Sequence, residues 1–426
     1  MDFLSHLSKY LSQEEINQLD VSLKGKSEHA LLLNTNKMSE EMLLSLFPHV
    51  KRHPIVKNAF LYDKEEYDLG KSVFHALGCF YLQEPSAMLP AFLLNPKPGE
   101  IVLDLCAAPG GKSMQASLLM DNRGLIIAND IAKNRAFAIS ENTERLGRGN
   151  LLITNNDFSL IYKNYLNYFD KIILDAPCSG SGMFRKEDKM MEDWSYQKVL
   201  KYAEIQKELI LMSYSMLKPG GIMVYSTCSF SYEEDEEVID YLLENSDAVL
   251  DAIPDNSLFY KSKNSGHGIH LLPFLYPGEG HYVALIKKPG DLKTRTSENL
   301  KASNKYQVQT PYNYVEKYGD YLYTMSETIN TKGLNIIRYG VKVGELIKQD
   351  IKYDHHYAHF VNEFKMSKEI TFDELLKYYQ GETLNSDIPK GDVLLKYQDI
   401  NVDIAKSDGR IIKNHLPKGL RRKYLF

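Results

Sequence analysis

The feature that most restricts the fold is a regular exchange of short apolar runs with helical stretches, which begins near residue 101. The runs predicted as strands are Ile101 to Leu105, Leu125 to Asn129, Leu151 to Thr154, Ile172 to Leu174, Ile222 to Ser226 and Val283 to Ile286. Apolar strands separated by helices are typical of a parallel sheet that helices cover on both faces. The sequence therefore predicts an α/β domain, whose ligands bind beyond the carboxyl ends of the strands.

The length of 426 residues requires more than this one domain. The first part of the chain shows helical spacing, and the last part is rich in tyrosine and short strand-like runs. The expected units are a small helical, RNA-contacting N-terminal lobe at residues 1–72, the α/β domain at 73–290, a polar linker at 291–306 and a β-rich C-terminal domain at 307–426.

Charge and cysteine content exclude several classes of protein. The net charge of -5 gives no overall attraction for nucleic acid, so a nucleic-acid partner needs a local basic patch. The tail from Arg410 to Phe426, with six Lys or Arg and no acid, supplies one. The chain has no apolar run long enough for a membrane span and no secretory signal, which predicts a cytoplasmic protein. Four widely spaced cysteines indicate neither a disulfide framework nor a zinc site, and no metal is expected, even at Tyr353-Asp-His-His-Tyr357.

The first predicted strand runs into a glycine turn, Cys106-Ala-Ala-Pro-Gly-Gly-Lys-Ser113, and then into a helix. The turn lacks the G-x-G-x-x-G pattern of dinucleotide-binding proteins. It also lacks the first glycine of a phosphate-binding loop, because Cys106 stands there. The turn therefore favours a nucleotide-like ligand without a phosphate chain.

Two acids follow the next two strands at the same edge of the predicted sheet. Asp130 lies nineteen residues after Gly111, near the offset at which an acid binds ribose hydroxyls in Rossmann-type sites. Asp157 follows the third strand, where its carboxylate can accept a hydrogen bond from the amine of adenine. S-adenosylmethionine fits this arrangement better than ATP or NAD does.

Two cysteines follow neighbouring strands. Asp175-Ala-Pro-Cys-Ser-Gly-Ser-Gly182 follows the fourth strand, and the fifth ends in Val224-Tyr-Ser-Thr-Cys-Ser229, so that Cys178 and Cys228 face one pocket. Methylation of carbon 5 of a pyrimidine gives a reason for such a pair. That carbon becomes nucleophilic when a thiolate adds to carbon 6, and a second group must then help to remove the carbon 5 proton. From the chemistry alone, either thiol can add first.

Three segments that carry these residues resemble the motifs of the NOL1/NOP2/Sun family of RNA 5-methylcytosine methyltransferases: DLCAAPGGKS, DAPCSGSGMFRK and YSTCSFSYEEDE. Tyr81-Leu-Gln-Glu-Pro-Ser86 and Gly278-Glu-Gly-His-Tyr282 agree with this resemblance. Ile337-Arg-Tyr-Gly340 and Lys413-Asn-His-Leu-Pro-Lys-Gly-Leu-Arg421 resemble bacterial members that act on small-subunit ribosomal RNA. The resemblance implies a Rossmann-like S-adenosylmethionine methyltransferase domain followed by a PUA-like RNA-binding domain.

The resemblance also implies roles for individual residues. Cys228 is the expected nucleophile, Cys178 assists release of the product, and Asp175 contacts the cytosine. The implied S-adenosylmethionine contacts are Cys106, Ala107, Ala108, Pro109, Gly110, Gly111, Lys112, Asp130, Asp157 and Asp175. The implied partner is structured RNA, either 16S ribosomal RNA or the small ribosomal subunit.

Other interpretations remain open at the level of sequence. The cytosine could lie in transfer RNA, or Gly111-Lys-Ser113 could serve as a degenerate phosphate loop in an RNA-remodelling ATPase. A non-catalytic RNA chaperone with structural thiols is a further possibility. Met183-Phe-Arg-Lys186 could hold an RNA backbone, or it could be a helix start with solvated charges.

Overall fold

The computed structural model describes residues 2–185, 188–262, 266–292 and 305–424. The N-terminal lobe combines helices with an antiparallel sheet of order β2-β3-β1-β4. Its elements are α1 (Phe3–Leu7), α2 (Gln13–Leu23), α3 (Glu40–Leu46), α4 (Val73–Ala76), β1 (His29–Leu33), β2 (Lys51–Arg52), β3 (Ala59–Tyr62) and β4 (Phe80–Gln83). The helical spacing in the sequence did not predict this sheet, because strands of two to five residues show too little alternation to be recognised.

The central domain carries the strands and helices that the apolar pattern predicts. Its helices are α5 (Leu89–Leu94), α6 (Gly111–Leu119), α7 (Lys133–Leu146), α8 (Phe158–Asn164), α9 (Asp188–Glu192), α10 (Tyr196–Met216) and α11 (Glu236–Glu244). Its strands are β5 (Ile101–Asp104), β6 (Leu125–Asn129), β7 (Leu151–Thr154), β8 (Phe169–Asp175), β9 (Leu217–Thr227), β10 (Val249–Leu250), β11 (Ile269–Leu271) and β12 (His281–Lys287).

Five strands in the order β7-β6-β5-β8-β9 form the parallel centre of this sheet, and β12 pairs antiparallel with β9. Alternate residues of each strand enter different apolar clusters. Val102 and Ile173 pack in one cluster, and Leu103 and Leu174 pack in the other. The predicted α/β sheet covered on both faces is confirmed, with the last strand reversed in direction.

The C-terminal part is rich in strands, as the sequence predicts. Its elements are β13 (Tyr314–Tyr318), β14 (Tyr321–Met325), β15 (Ile336–Tyr339), β16 (Val341–Ile347), β17 (Asp350–Tyr353), α12 (His355–Phe360), β18 (Ser367–Glu369), α13 (Phe372–Tyr379), β19 (Leu384–Asn385), β20 (Gly391–Tyr397), β21 (Ile400–Ser407) and β22 (Ile411–Lys413). Strand β15 joins the central sheet antiparallel to β7. The other strands form two sheets, β13-β14-β16-β17 and β18-β20-β21-β22-β19.

The N-terminal lobe and the last sheet share one apolar cluster. Leu33 and Phe74 of the lobe are buried in the same cluster as Leu375 and Tyr378 of α13. The rings of Phe74 and Phe372 stack at 6.2 Å between centroids. The two ends of the chain therefore pack against each other and brace the central domain from one side.

The predicted domain boundaries stay predictions. Most of the expected linker, residues 293–304, lies outside the described residues. In the described part of the chain, every helix is too short or too polar to cross a membrane.

Candidate active site

The two predicted thiols lie together at the carboxyl ends of adjacent strands. Strands β8 and β9 run parallel, with Asp175 opposite Ser226, so the loops after them leave the sheet side by side. The Sγ atoms of Cys178 and Cys228 are 2.8 Å apart, and both side chains are partly exposed. The structure thus brings both sulfur atoms together beyond the carboxyl edge of the sheet.

The backbones of the two cysteine loops are joined directly. The N–H of Gly182 donates to the carbonyl of Cys228 at 2.7 Å. A Cβ atom at Gly182 would lie 2.5 Å from the carbonyl oxygen of Gly280 and 3.0 Å from that of Cys228. The glycine thus allows two segments of the protein's own backbone to approach each other.

The surroundings of Cys178 favour the protonated form of its thiol. The hydrogen bond to Cys228 raises the pKa of Cys178 well above its ordinary value, and burial and the Glu234 and Asp175 charges add to this effect. A thiol with a raised pKa keeps its proton at neutral pH. Cys178 can therefore serve as the donor in its hydrogen bond with Cys228.

Asp175 is held as an anion between the cofactor turn and the thiols. Burial alone would raise the pKa of this carboxyl, but the Lys112 ammonium at 2.7 Å and the Ser226 hydroxyl at 2.7 Å bring it below its ordinary value. Lys112 is itself almost fully buried. Because this lysine is committed to Asp175, it is not free to bind a phosphate as the lysine of a phosphate loop does.

The predicted cofactor turn begins α6 and is fixed by Asp130. Gly110 has a φ of 106°, a backbone conformation that favours glycine. Asp130 accepts hydrogen bonds from the backbone N–H of Ala108 at 3.3 Å and of Ala132 at 2.9 Å. From the end of β6, this acid therefore helps to fix the cofactor turn between β5 and α6.

Asp157 lies at the end of β7, on the same edge of the sheet. Its carboxylate is exposed and caps α8 by accepting from the backbone N–H of Ser159 at 2.9 Å. Hydrogen bonds from the Ser159 hydroxyl and backbone lower the pKa of Asp157. The structure thus places one carboxyl group after each of the two strands that follow the turn.

The sequence did not identify Asp104 as a site residue. Its carboxyl is fully buried at the end of β5 and accepts from the Ser113 hydroxyl at 2.6 Å. Burial raises its pKa to about 7, and the nearby Asp175 charge contributes. An acid within an otherwise apolar run was the available signal in the sequence.

Stability should therefore depend on pH through Asp104. The folded protein retains a proton that the unfolded chain releases above its ordinary pKa of 3.8, so the unfolding free energy falls as pH rises from about 4 to about 7. We expect Asp104→Asn to reduce the loss in Tm between pH 5 and pH 8 by roughly 5 °C. Thermal unfolding at both pH values measures this. An equal loss in both proteins would show that Asp104 does not titrate in this range.

Arg185 is neither a free RNA contact nor a solvated charge, so both interpretations of this residue were wrong. Its guanidinium is buried against the Glu279 carboxylate at 2.9 Å. It also donates to the carbonyl of Gly278. This ion pair ties the segment after the Cys178 loop to the segment before β12. Lys186 of the same motif lies outside the described residues.

One group among the described residues has the spacing of metal ligands: Asp235, Glu236 and His270. Its members are buried, and the Nε2 of His270 lies 2.8 Å from Glu236. The histidines of the predicted cluster have protein partners instead. His355 contacts Asp403 at 3.1 Å, and His356 contacts the carbonyl of Arg148 at 3.2 Å.

Family models match three parts of the chain. Residues 91–287 match the family described as 16S rRNA methyltransferase RsmB/F. Residues 1–85 match the N-terminal domain of 16S rRNA methyltransferase RsmF, and residues 367–422 match the methyltransferase RsmF PUA domain. The three matches follow the order of the N-terminal lobe, the central domain and the last sheet.

Curated relatives and solved structures agree with these matches. The chain is 30% identical to ribosomal RNA small subunit methyltransferase F of Vibrio atlanticus, over 100% of this chain and 98% of the relative. It is 33% identical to the protein of the same name from Vibrio campbellii, over 85% of this chain and 84% of the relative. A methyltransferase homolog from Pyrococcus horikoshii is 31% identical with a TM-score of 0.58, over 67% of this chain and 93% of that one. NSun6 from the same organism, at 22% identity and a TM-score of 0.61 over 68% and 98%, shares the fold. The chain belongs to the RsmB/F family of RNA methyltransferases, with the N-terminal and PUA domains of the F type.

Proposed function

We propose that this protein transfers a methyl group from S-adenosylmethionine to carbon 5 of a cytosine in 16S ribosomal RNA, through a covalent bond between Cys228 and carbon 6. The observation that carries the proposal is the thiol pair at 2.8 Å, beside an anionic Asp175 that is paired with Lys112 of the cofactor turn. This arrangement supplies a nucleophile, a second thiol and a charge that can stabilise the attacked base.

The cofactor turn suits S-adenosylmethionine better than it suits a nucleoside triphosphate. Carboxylates at the ends of β6 and β7 can accept hydrogen bonds from hydroxyl and amino groups, but they repel phosphates. The cation of the turn, Lys112, is already paired with Asp175 at 2.7 Å. The residues that would hold the cofactor are those from Cys106 to Lys112, with Asp130, Asp157 and Asp175. When bound, S-adenosylmethionine supplies an electrophilic methyl group.

The first step is attack by the sulfur of Cys228 on carbon 6 of the cytosine. The Cys228 thiol loses its proton as its sulfur bonds to carbon 6, and the Sγ of Cys178 lies 2.8 Å from that sulfur. Ring nitrogen 3 takes up a proton as the bond forms, and the anionic Asp175 accepts a hydrogen bond from the resulting N–H. Carbon 5 then has enamine character and can accept the methyl group.

Release requires that Cys178 become a base, and the covalent step prepares it for this role. The hydrogen bond to Cys228 is the largest cause of the raised pKa of Cys178, and this bond is lost once Cys228 is bonded to cytosine. The Cys178 thiol must then release its own proton to solvent, after which its thiolate can take the proton from carbon 5. The bond between carbon 6 and sulfur breaks as the ring double bond forms again.

Contact with RNA is assigned to the basic tail and to the N-terminal lobe. In the tail, Arg410, Lys413, Lys418, Arg422 and Lys423 are all exposed. Clustered basic side chains bind phosphates without reading sequence. The substrate assignment is supported by the relatives, each named a ribosomal RNA small subunit methyltransferase.

The function is tested by incubating the protein with S-adenosylmethionine and either naked 16S ribosomal RNA, assembled small subunits or transfer RNA. We expect 5-methylcytosine in digested ribosomal RNA by mass spectrometry, and none with Cys228→Ala. Cys79→Ala is the matched control, because Cys79 is fully buried and burial raises the pKa of its thiol to about 12. The Cys79→Ala protein should therefore methylate RNA normally. Methylation of transfer RNA alone, or of another base position, would contradict the proposal.

A further inference from the structure

A buried carboxylate connects the two cysteine loops. Glu234 has no exposed surface. It accepts from the backbone N–H of Ser179 at 2.7 Å, from the Ser179 hydroxyl at 2.5 Å and from the Ser229 hydroxyl at 2.6 Å. Ser179 directly follows Cys178, and Ser229 directly follows Cys228. One side chain thus bonds to the residue after each thiol.

A fourth hydrogen bond anchors the carboxylate to the helix behind the loops. Gln206 of α10 donates from the same Nε2 to the carbonyl of Pro177 at 2.8 Å and to Glu234 at 3.3 Å. Pro177 precedes Cys178. The Cys178 loop is therefore held on both sides of the thiol, and Glu234 extends this hold to the Cys228 loop.

The charge of Glu234 is costly where it lies. Burial raises the pKa of the carboxyl, and the hydrogen bonds from Ser179, Ser229 and Gln206 counteract this effect. A buried charge adds little to stability compared with an apolar side chain of similar size. A carboxylate that accepts several hydrogen bonds does, however, fix the relative position of the groups that donate to it.

We propose that Glu234 is a positioning residue, which clamps the loops after β8 and β9 so that the sulfur atoms of Cys178 and Cys228 stay in contact. This role rests on the proposed function, because the contact matters for the order in which the thiols act. Without the clamp, the two loops would be held less firmly against each other, and both attack by Cys228 and proton removal by Cys178 would slow.

The position of the thiols can be measured without any methylation. Glutathione disulfide converts the two thiols into a disulfide and is reduced to two glutathione molecules, so the equilibrium constant reports how well the protein holds the sulfurs together. We expect Glu234→Gln, which keeps the side-chain volume, to lower this constant about tenfold or more. Glu237→Gln is the matched control, because Glu237 contacts Lys207 at the surface and neither cysteine loop. Cys178→Ala must abolish the signal.

Kinetics give a second readout. We expect Glu234→Gln to reduce kcat by about 100-fold, the scale of a misplacement near 1 Å, with KM for RNA and for S-adenosylmethionine changed less than about twofold. Ser229→Ala, which removes one of the bonds, should act in the same direction and be non-additive with Glu234→Gln. Thermal unfolding of both variants shows whether the fold is kept.

The outcomes separate the clamp from the proposed function. An unchanged disulfide equilibrium in folded Glu234→Gln would overturn the clamp, even if kcat fell. An equal fall of the disulfide equilibrium constant in Glu234→Gln and Glu237→Gln would also overturn the clamp, because it would indicate a general effect of charge. If the wild-type protein forms no 5-methylcytosine, the proposed function fails, while the thiol measurement still decides whether Glu234 holds the loops. If Glu234→Gln does not fold, the disulfide equilibrium is measured on Ser229→Ala instead. An unchanged equilibrium constant in that variant would overturn the clamp.

Discussion

Cys178→Ala, incubated with small-subunit RNA and S-adenosylmethionine, is expected to accumulate a protein–RNA complex that survives denaturing electrophoresis. In this variant Cys228 can still add to carbon 6, but the thiolate that would take the carbon 5 proton is missing. Elimination should slow by at least about 100-fold, since general-base catalysis contributes this much. The complex is detected as a shifted band and located by mass spectrometry of the crosslinked peptide, which should contain Cys228.

The second cysteine provides the control for this result. Adding Cys228→Ala to the first substitution should remove the shifted band entirely, because no nucleophile remains. If Cys228→Ala alone trapped RNA through Cys178, the two roles would be reversed. Absence of a complex in Cys178→Ala, under conditions where the wild-type protein methylates, would contradict the assignment of product release to Cys178.

Gly182→Ala is expected to have a large effect although it adds a single methyl group. The new Cβ would lie 2.5 Å from the carbonyl oxygen of Gly280 and 3.0 Å from that of Cys228, and both are backbone atoms that cannot turn away. The backbone at residue 182 or at Gly280 must therefore shift, which disturbs the contact between the two cysteine loops. We expect kcat to fall about 100-fold and the unfolding free energy to fall by about 1–3 kcal/mol. Single-turnover methylation and denaturant unfolding measure the two effects.

Gly266→Ala is the matched control for this substitution. Gly266 is exposed, and a Cβ there would meet no atom within 4 Å. This variant should keep wild-type activity and stability. Full activity in Gly182→Ala would show that the contact between the cysteine loops is not required for the reaction.

The alternation of apolar strands and helices was sufficient to predict the central sheet. Every predicted strand is present, because a strand buried on both faces must be apolar along its whole length. The same logic placed Asp130 and Asp157 at one edge of the sheet. Sequence periodicity gives no direction for a strand, so it could not show that β12 runs antiparallel to β9.

Contacts between distant segments could not be predicted from the sequence. Arg185 pairs with Glu279, and the two are ninety-four residues apart. Glu234 bonds to Ser179 across fifty-five residues. In the sequence, Arg185 resembled a free cation. Partners of this kind are fixed by packing of the whole domain and leave no local periodic signal.

The apolar cluster shared by the N-terminal lobe and the last sheet bears on how such a protein can be divided. Removing the last sheet would expose Phe74 to water, and removing the N-terminal lobe would expose Leu375 and Tyr378. A fragment that ends at the central domain would expose the apolar surface of the N-terminal lobe. Such a fragment would be prone to aggregation and proteolysis. The C-terminal end of the chain therefore cannot be exchanged independently of the N-terminal lobe. A chimeric methyltransferase that receives this C-terminal end must also receive the matching N-terminal lobe. We therefore expect the two ends to be inherited together.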